Sequence, residues 1–450
     1  MGASPDIASG RLPAATLAEN FLDIHAPLDS FEARVAAERC LYCYDAPCIT
    51  ACPTSIDIPL FIRQIANKNP IGSAKTILKQ NIMGGMCARV CPTETLCEEA
   101  CVRNASEGKP VEIGLLQRYA TDALMEAGTH PFKRAASTGK KVAVVGAGPA
   151  GLSAAHRLSL LGHDVTIFEA RPKAGGLNEF GIAAYKSTED FAQAEVEFIL
   201  SLGGITIEYG KRLGRDVMLG DLTRRYDAVF LGMGLGGTNA LGLGDEPAGV
   251  LDAVDYIGAL RQADDLARLP VGRRVVVIGG GMTAIDIASQ IKRLGAEDVT
   301  IVYRRSQEQM NASEYEQALA QTDGVLIRTW GRPVKLLSHN GHLTGVEIEY
   351  TREMDGRLVG TGETSVIACD QLFKAIGQTF LAQDLADAGL KMQSGRIVID
   401  VDGKTSLANV WAGGDCVHGG EDLTVAAVAD GRDAALAIDA VLRSTLGKAA

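Results

Sequence analysis

Eight of the ten cysteines fall between Cys40 and Cys101, in two blocks. The first reads Cys40-x2-Cys43-x4-Cys48-x3-Cys52-Pro53, and the second is Cys87, Cys91-Pro92, Cys97 and Cys101. Thiolates packed this densely bind metal, carry iron–sulfur clusters or exchange disulfides. In a reducing compartment disulfides do not persist, which leaves metal or redox chemistry. Two tetrahedral zinc sites would show paired C-x2-C units, and only one such unit is present. The prolines after Cys52 and Cys91 favour iron–sulfur. Eight thiolates suffice for two four-cysteine clusters, and spacing leaves open which cysteine pairs with which.

The first block has the form of the bacterial ferredoxin run, whose fourth cysteine serves the other cluster. A second chemistry lies downstream, in glycines. Lys141-Val-Ala-Val-Val145 reads as a buried strand, followed by Gly146-Ala147-Gly148-Pro149-Ala150-Gly151 and a helix through Leu161. Gly146 allows the tight turn, Gly148 lets a pyrophosphate approach the backbone, and Gly151 lets helix and strand pack closely. The next strand, Asp164–Phe168, ends at Glu169, placed to bind ribose hydroxyls. The unit then repeats. Arg274–Ile278 leads into Gly279-Gly280-Gly281-Met282-Thr283-Ala284, a helix to Leu294, and a strand Asp298–Val302.

The repeats differ where the acid sits. Tyr303 takes the place of Glu169 and is followed by Arg304 and Arg305. Arginines there can pair with a 2′-phosphate, so the second site is expected to take NADPH in preference to NADH. The first site, with its acid, suits the AMP half of FAD. Near the C-terminus a strand runs into Gly413-Gly414-Asp415, and a helix starts at Thr424. This resembles flavoenzymes with two dinucleotide domains. The likeness implies that Gly414 and Asp415 meet the flavin's ribityl chain, that the helix from Thr424 points at the flavin, and that Gly176-Leu177 belongs to the same site. It also implies an NAD(P)H domain inserted within the FAD domain.

Helices must hold the cysteines. Asp29 can cap a helix through Phe31–Arg39, and Ile58–Gln80 has a helical period broken by Asn69-Pro70. A further helix is expected over Leu115–Ala127, and alternation around Leu343–Tyr350 suggests a hairpin or meander. The fold class is α/β: two Rossmann-like domains preceded by an all-α domain holding two [4Fe–4S] clusters. The expected domains are 1–135 (helical, iron–sulfur), 136–258 (FAD, first part), 259–375 (NAD(P)H) and 376–450 (FAD, second part). With 44 basic and 55 acidic residues among 450, the net charge of −11 argues against a nucleic-acid scaffold. No secretory pattern or run of about 18 apolar residues is visible, so a cytoplasmic chain is expected.

Taken whole, residues 17–440 resemble the NAD(P)H-oxidising, FAD-containing iron–sulfur subunit of bacterial dihydropyrimidine dehydrogenase. The likeness is densest in Asn20-Phe-Leu-Asp-Ile24, Asp45-Ala-Pro-Cys48, Ile65-Ala-Asn-Lys-Asn69, Val90-Cys-Pro-Thr93 and Ile113-Gly114 through Gln117. The small subunit of glutamate synthase is a close relative, but typically spaces its second block C-P-x-x-C, whereas five residues separate Cys91 from Cys97 here. The resemblance implies that Cys40, Cys43, Cys48 and Cys101 hold one [4Fe–4S] cluster. It gives Cys52, Cys91, Cys97 and Gln117 to the other and leaves Cys87 a non-ligand. It further implies an FMN-containing partner subunit, itself carrying iron–sulfur clusters, that reduces uracil and thymine within a heterotetramer or larger complex. One departure stands out. These enzymes carry an I-P-x-x-R-L-like stretch near the flavin, and this chain has Ile182-Ala-Ala-Tyr185-Lys186, with Lys186 the candidate for the basic role.

Competing readings are a glutamate synthase small subunit, an orphan NAD(P)H:acceptor oxidoreductase, a thioredoxin-reductase-type disulfide reductase and a non-enzymatic assembly subunit. The third needs a C-x2-C in the nucleotide region, yet residues 136–368 contain no cysteine. Intact fingerprints at both nucleotide sites argue against the fourth. No protein acid–base pair is expected, because the cofactors carry the chemistry.

Overall fold

Asp29 opens the helical region as its sequence suggests. Its side chain accepts from Phe31 N and Glu32 N while Glu32 accepts from Asp29 N, a full capping box on the helix Ser30–Glu38. Asn69 does the breaking expected of it. Helix Ile58–Ala66 ends before it, and helix Pro70–Gln80 begins after it with the Asn69 side chain as cap. The computed structural model describes residues 6–381, 385 and 389–446. They fall into two compact units. One comprises His25–Glu179, Glu189–Gly236 and the described residues from Phe380 on. The other comprises the described residues up to Ile24, Phe180–Thr188 and Gly237–Thr379.

In the first unit, Ile58, Phe61, Ile62 and Ile65 form the buried face of one helix. They share a core with Ala74, Ile77 and Leu78 of the next helix and with Leu116, Ala120 and Leu124 of helix Ile113–Glu126. Burying each large side chain contributes about 1.5–3 kcal/mol before the entropy of ordering is charged. The short helix Gly84–Val90 carries Cys87, with Cys91 as its C-cap. The same unit holds a five-stranded parallel sheet in the order Val410–Ala412, Ala228–Leu231, Lys141–Val145, Asp164–Glu169, Ile205–Tyr209. The strand before the first glycine turn therefore lies where strand order reverses, the crevice that binds ligands in such sheets.

The second unit repeats the plan. Its parallel sheet runs Leu326–Arg328, Asp298–Val302, Arg274–Ile278, Gln371–Lys374, Val250–Asp252. The strand before the second glycine turn again sits at the reversal. A three-stranded antiparallel meander, Gly331–His339, His342–Met354 and Arg357–Ala368, realises the expected alternation. A short strand, Ile7–Ala8, pairs with Val271–Gly272 in this unit, and Asn20 Nδ2 donates to Arg293 O at 2.8 Å. The fold class is as expected: the first unit's sheet takes strands from both sides of the second unit's main segment.

The C-terminal helix Thr424–Leu446 packs on helix Pro149–Leu160 at one close point. A Cβ on Gly431 would lie 2.1 Å from Ala150 O, so no side chain fits there without parting the helices. Gly431→Val is expected to cost about 1–3 kcal/mol by overpacking, read as a lower midpoint in thermal unfolding followed by circular dichroism. An unchanged midpoint would show that the two helices do not meet at Gly431.

Candidate functional site

The cysteines separate into two neighbourhoods. Cys48 has Cys40, Cys43 and Cys101 beside it, and burial, then the charge of Cys40 and Cys101, pushes its thiol up to about 12. Burial likewise raises Cys40, while its sulfur accepts a hydrogen bond from Tyr42 N at 3.5 Å. Tyr42 adopts the left-handed conformation, with φ of 53°. The Arg63 guanidinium lies 4.7 Å from the centre of its ring. Leu41 and Tyr44, next to Cys40 and Cys43, are exposed.

Cys52, Cys87, Cys91, Cys97 and Gln117 line a second space, a small cavity shared with Ile56, Ile58, Ile113 and Val425. A hydrogen bond with Cys87 and burial raise Cys91, and burial, with Glu98 and Cys52 nearby, raises Cys97. Thr54 Oγ1 lies 3.2 Å from Cys52 Sγ. Gln117 is 8% exposed, and its Nε2 donates to Gly84 O at 2.7 Å. That bond commits the nitrogen and leaves Oε1, the atom able to meet iron, without a hydrogen-bond partner among the described residues. Thiols whose burial and mutual repulsion oppose ionisation fit a site completed by cationic iron, since a bound metal inverts this logic and keeps its ligands deprotonated. Cys87 is a fifth sulfur in the second neighbourhood, and the two neighbourhoods adjoin, since Cys48 also acts on Cys97.

The first glycine turn makes a cradle. A Cβ on Gly151 would meet Gly146 O at 1.9 Å, and one on Gly146, where φ is +96°, would meet Gly232 O at 2.3 Å. Gly175 N donates to Ala147 O at 2.7 Å, which lays the Gly176-Leu177 segment over the turn. A Cβ on Gly176 would come within 2.7 Å of Gly148 Cα. Gly148 caps the helix that begins Pro149-Ala150-Gly151, so the positive end of the helix dipole opens at the turn, a place suited to an anion. Glu169 is buried. Its Oε2 accepts from Ala147 N at 2.7 Å and its Oε1 from Arg171 N at 2.8 Å, and each oxygen retains acceptor capacity.

The C-terminal motif joins this cradle. Gly414 faces Ala150, where a Cβ would approach to 3.1 Å, and its N–H donates to Asp430 at 2.8 Å. Burial, reinforced by Asp422 and opposed by Arg396, pushes the Asp415 carboxyl up to about 7. Thr424 Oγ1 donates to Asn178 Oδ1 at 2.8 Å, and Asn178 Nδ2 is buried with no hydrogen-bond partner among the described residues. An orphaned donor beside a glycine cradle fits a bound dinucleotide such as FAD. Asn178, Asp430 and Val425 carry no sequence signal of their own, and only the fold brings them to the site.

In the second unit, Gly281 caps the helix Met282–Arg293, which begins Met282-Thr283-Ala284. A Cβ on Gly279 would meet Ala375 O at 2.2 Å, and one on Gly280 would strike the Tyr303 ring. Arg304 and Arg305 are exposed, while their carbonyls are fixed by Thr351 Oγ1 and Trp330 N. The basic role considered for Lys186 near the flavin is corrected here. Its Nζ lies 2.8 Å from Asp286 and 2.7 Å from Glu316 in the interior of this unit. Burial pushes its ammonium down, but the two carboxylates outweigh that and hold it above the usual lysine range. The charge is thus spent within the unit. Cys369 and Cys416 are fully buried and isolated from the other sulfurs.

Comparisons with known proteins agree with this geometry. Residues 140–431 match the pyridine nucleotide-disulphide oxidoreductase family, and residues 17–129 match dihydropyrimidine dehydrogenase domain II, 4Fe-4S cluster. The chain is 36% identical to the NAD-dependent dihydropyrimidine dehydrogenase subunit PreT of Salmonella typhimurium, over 93% of this chain and 97% of that one. It is 35% identical to the glutamate synthase [NADPH] small chain of Escherichia coli, over 92% of each. FprA from Mycobacterium tuberculosis shares the fold, with a TM-score of 0.57 at 19% identity over 69% of this chain and 86% of that one. Among the described residues no helix is long and apolar enough to cross a membrane. The chain therefore belongs to the family of NAD(P)H-oxidising, FAD-containing iron–sulfur subunits that includes the dihydropyrimidine dehydrogenase subunit and the glutamate synthase small chain, and it is an NAD(P)H-dependent flavin oxidoreductase with a 4Fe–4S domain.

Proposed function

We propose that this protein is the electron-input subunit of a dihydropyrimidine dehydrogenase, oxidising NADPH in preference to NADH and passing electrons through two [4Fe–4S] clusters to an FMN-containing partner. The observation that carries the reading is a pair of adjacent residues. Thr424 is tied to Asn178 beside the glycine cradle, and its neighbour Val425 lines the cavity of Cys52, Cys91, Cys97 and Gln117. A residue assigned to the flavin site and one that lines the cysteine cavity are thus consecutive on one helix.

When bound, the flavin supplies hydride acceptance and the clusters supply one-electron transport. The chain's part is to bind, orient and insulate. Gly146, Gly148, Pro149, Ala150, Gly151, Glu169, Gly176, Leu177, Gly414, Asp415 and Thr424 would hold FAD. Gly279, Gly281, Met282, Thr283, Ala284, Arg304 and Arg305 would hold the nicotinamide nucleotide. Ile56, Ile58, Ile113 and Val425 keep water from the inner cluster. The outer sulfurs, Cys40, Cys43, Cys48 and Cys101, lie beside exposed Leu41 and Tyr44, a surface fit for handing electrons to another subunit. The spacing of Cys91 and Cys97 favours a pyrimidine-reducing partner over the glutamate synthase large subunit.

Three outcomes test this reading. Gln117→Leu should lose one cluster's share of iron and its electron paramagnetic resonance signal, whereas Cys87→Ser should keep full iron. Retention of all iron in the glutamine variant would remove Gln117 from the ligand set. Anaerobic flavin bleaching should be faster with NADPH than with NADH, and replacing Arg304 and Arg305 by alanine should erase most of that preference. A wild-type preference for NADH would overturn the assignment of the arginines. Finally, the subunit should copurify with an FMN-containing chain, and the pair should reduce uracil with NAD(P)H. Glutamate formation from 2-oxoglutarate and glutamine by the pair would instead establish the glutamate synthase reading.

A further inference from the structure

Glu195 sits on helix Phe191–Leu200 of the dinucleotide half of the first unit and is 2% exposed. Its Oε1 accepts from Gly85 N at 2.8 Å and from Met86 N at 3.1 Å. The Gly85 N–H belongs to the same peptide group as the Gly84 carbonyl, and that carbonyl accepts from Gln117 Nε2 at 2.7 Å. Carboxyl, peptide and side-chain amide therefore form one unbroken hydrogen-bonded chain ending at Gln117 Oε1. A Cβ on Gly85 would lie 2.5 Å from Phe191 and 2.8 Å from Glu195 Oε1, so a side chain there would push the phenyl ring and the carboxyl aside. The second oxygen, Oε2, is buried without a hydrogen-bond partner among the described residues.

We propose that Glu195 is a positioning residue that sets how strongly Gln117 Oε1 donates to iron, and so tunes the reduction potential of the cluster held with Cys52, Cys91 and Cys97. The inference rests on the reading of Gln117 as a ligand. Hydrogen bonds in series polarise one another in a dry interior. A negative Glu195 draws on the Gly85 N–H and makes Gly84 O a stronger acceptor. The amide of Gln117 then carries more negative charge on Oε1. A more negative ligand favours the oxidised cluster and lowers its potential. A neutral group in the same place releases the polarisation.

The surrounding charges leave this role to Glu195. From its own helix Gly84–Val90, Arg89 donates to Gly85 O at 3.1 Å and to both oxygens of Asp122 at 2.9 and 3.0 Å. Arg118, on the same helix as Gln117, reaches Asp122 at 3.4 Å. Helix Pro149–Leu160 brings His156, which burial keeps neutral by pushing it down to about 3, and Arg157, whose Nη2 donates to Lys79 O at 2.6 Å. Burial pushes the Glu195 carboxyl up to about 8, against the pull of the two backbone N–H groups and Arg89. Ionisation thus falls in a range where the holoprotein can be studied on both sides.

The test is potentiometry of the holoprotein followed by electron paramagnetic resonance at about pH 6.5 and about pH 9, on either side of that carboxyl's range. In the wild type the potential of the Gln117 cluster should fall as pH rises through about 8. At the higher pH, Glu195→Gln should favour reduction of that cluster by about tenfold, about 59 mV for one electron, and leave the Cys40 cluster where it is. At the lower pH variant and wild type should coincide. A wild-type potential that does not move with pH overturns the proposal, including in the event that Glu195→Gln fails to assemble its clusters. A variant shift that persists at low pH, or is equal at both clusters, overturns it too. Gln117→Leu separates the failures: if that variant keeps both clusters, the ligand assignment is wrong; if it loses one while the wild-type potential ignores pH, only the role of Glu195 is wrong.

Discussion

Sulfur atoms crowded into an apolar interior resist ionising, because each thiolate loses its hydration and repels the next. Burial and neighbouring cysteines raise Cys48, a hydrogen bond with Cys87 and burial raise Cys91, and burial with Glu98 and Cys52 raises Cys97. Only cations sharing the space reverse the balance. Much of the first unit follows from that constraint. Capped helices flank the cysteine loops, a glycine-rich helix lets Gln117 and Glu195 reach the same peptide, and apolar side chains line the second cavity.

The second organising fact is economy of placement at the N-terminus of helix Thr424–Leu446. One residue sits beside the glycine cradle and the next lines the cavity of Cys52, Cys91, Cys97 and Gln117. The helix reaches both because Gly431 lets it lie directly on helix Pro149–Leu160, the helix that the first glycine turn opens. The approach of the two helices is thereby set by backbone contacts, and the polar side chains are left to set electrostatics.

Much of this was legible in the residues. Strand, glycine turn and helix are visible at Lys141–Gly151 and again at Arg274–Ala284, because a tight turn and a close helix approach both demand glycine. Asp29 and Asn69 announce their helices through the backbone N–H groups they cap. What stayed hidden depends on distant pairing. Ile7–Ala8 is too short to show alternation, and its partner lies far along the chain. Lys186 reads as a free basic residue until the fold sets Asp286 and Glu316 around it. Gln117 looks like any helix glutamine, and only the resemblance singled it out. Asn178, Val425 and Glu195 give no local signal, since their roles come from elements brought together across the unit.

In the proposed function, reducing equivalents enter at the flavin and leave through the clusters. Rapid mixing of the anaerobic holoprotein with NADPH tests it most directly, with flavin absorbance and freeze-quenched electron paramagnetic resonance recorded on the same samples. The account predicts that flavin reduction comes first and that cluster signals grow as the flavin gives up its electrons. Fully reduced flavin beside clusters that stay oxidised, at potentials within reach of the flavin, would contradict it.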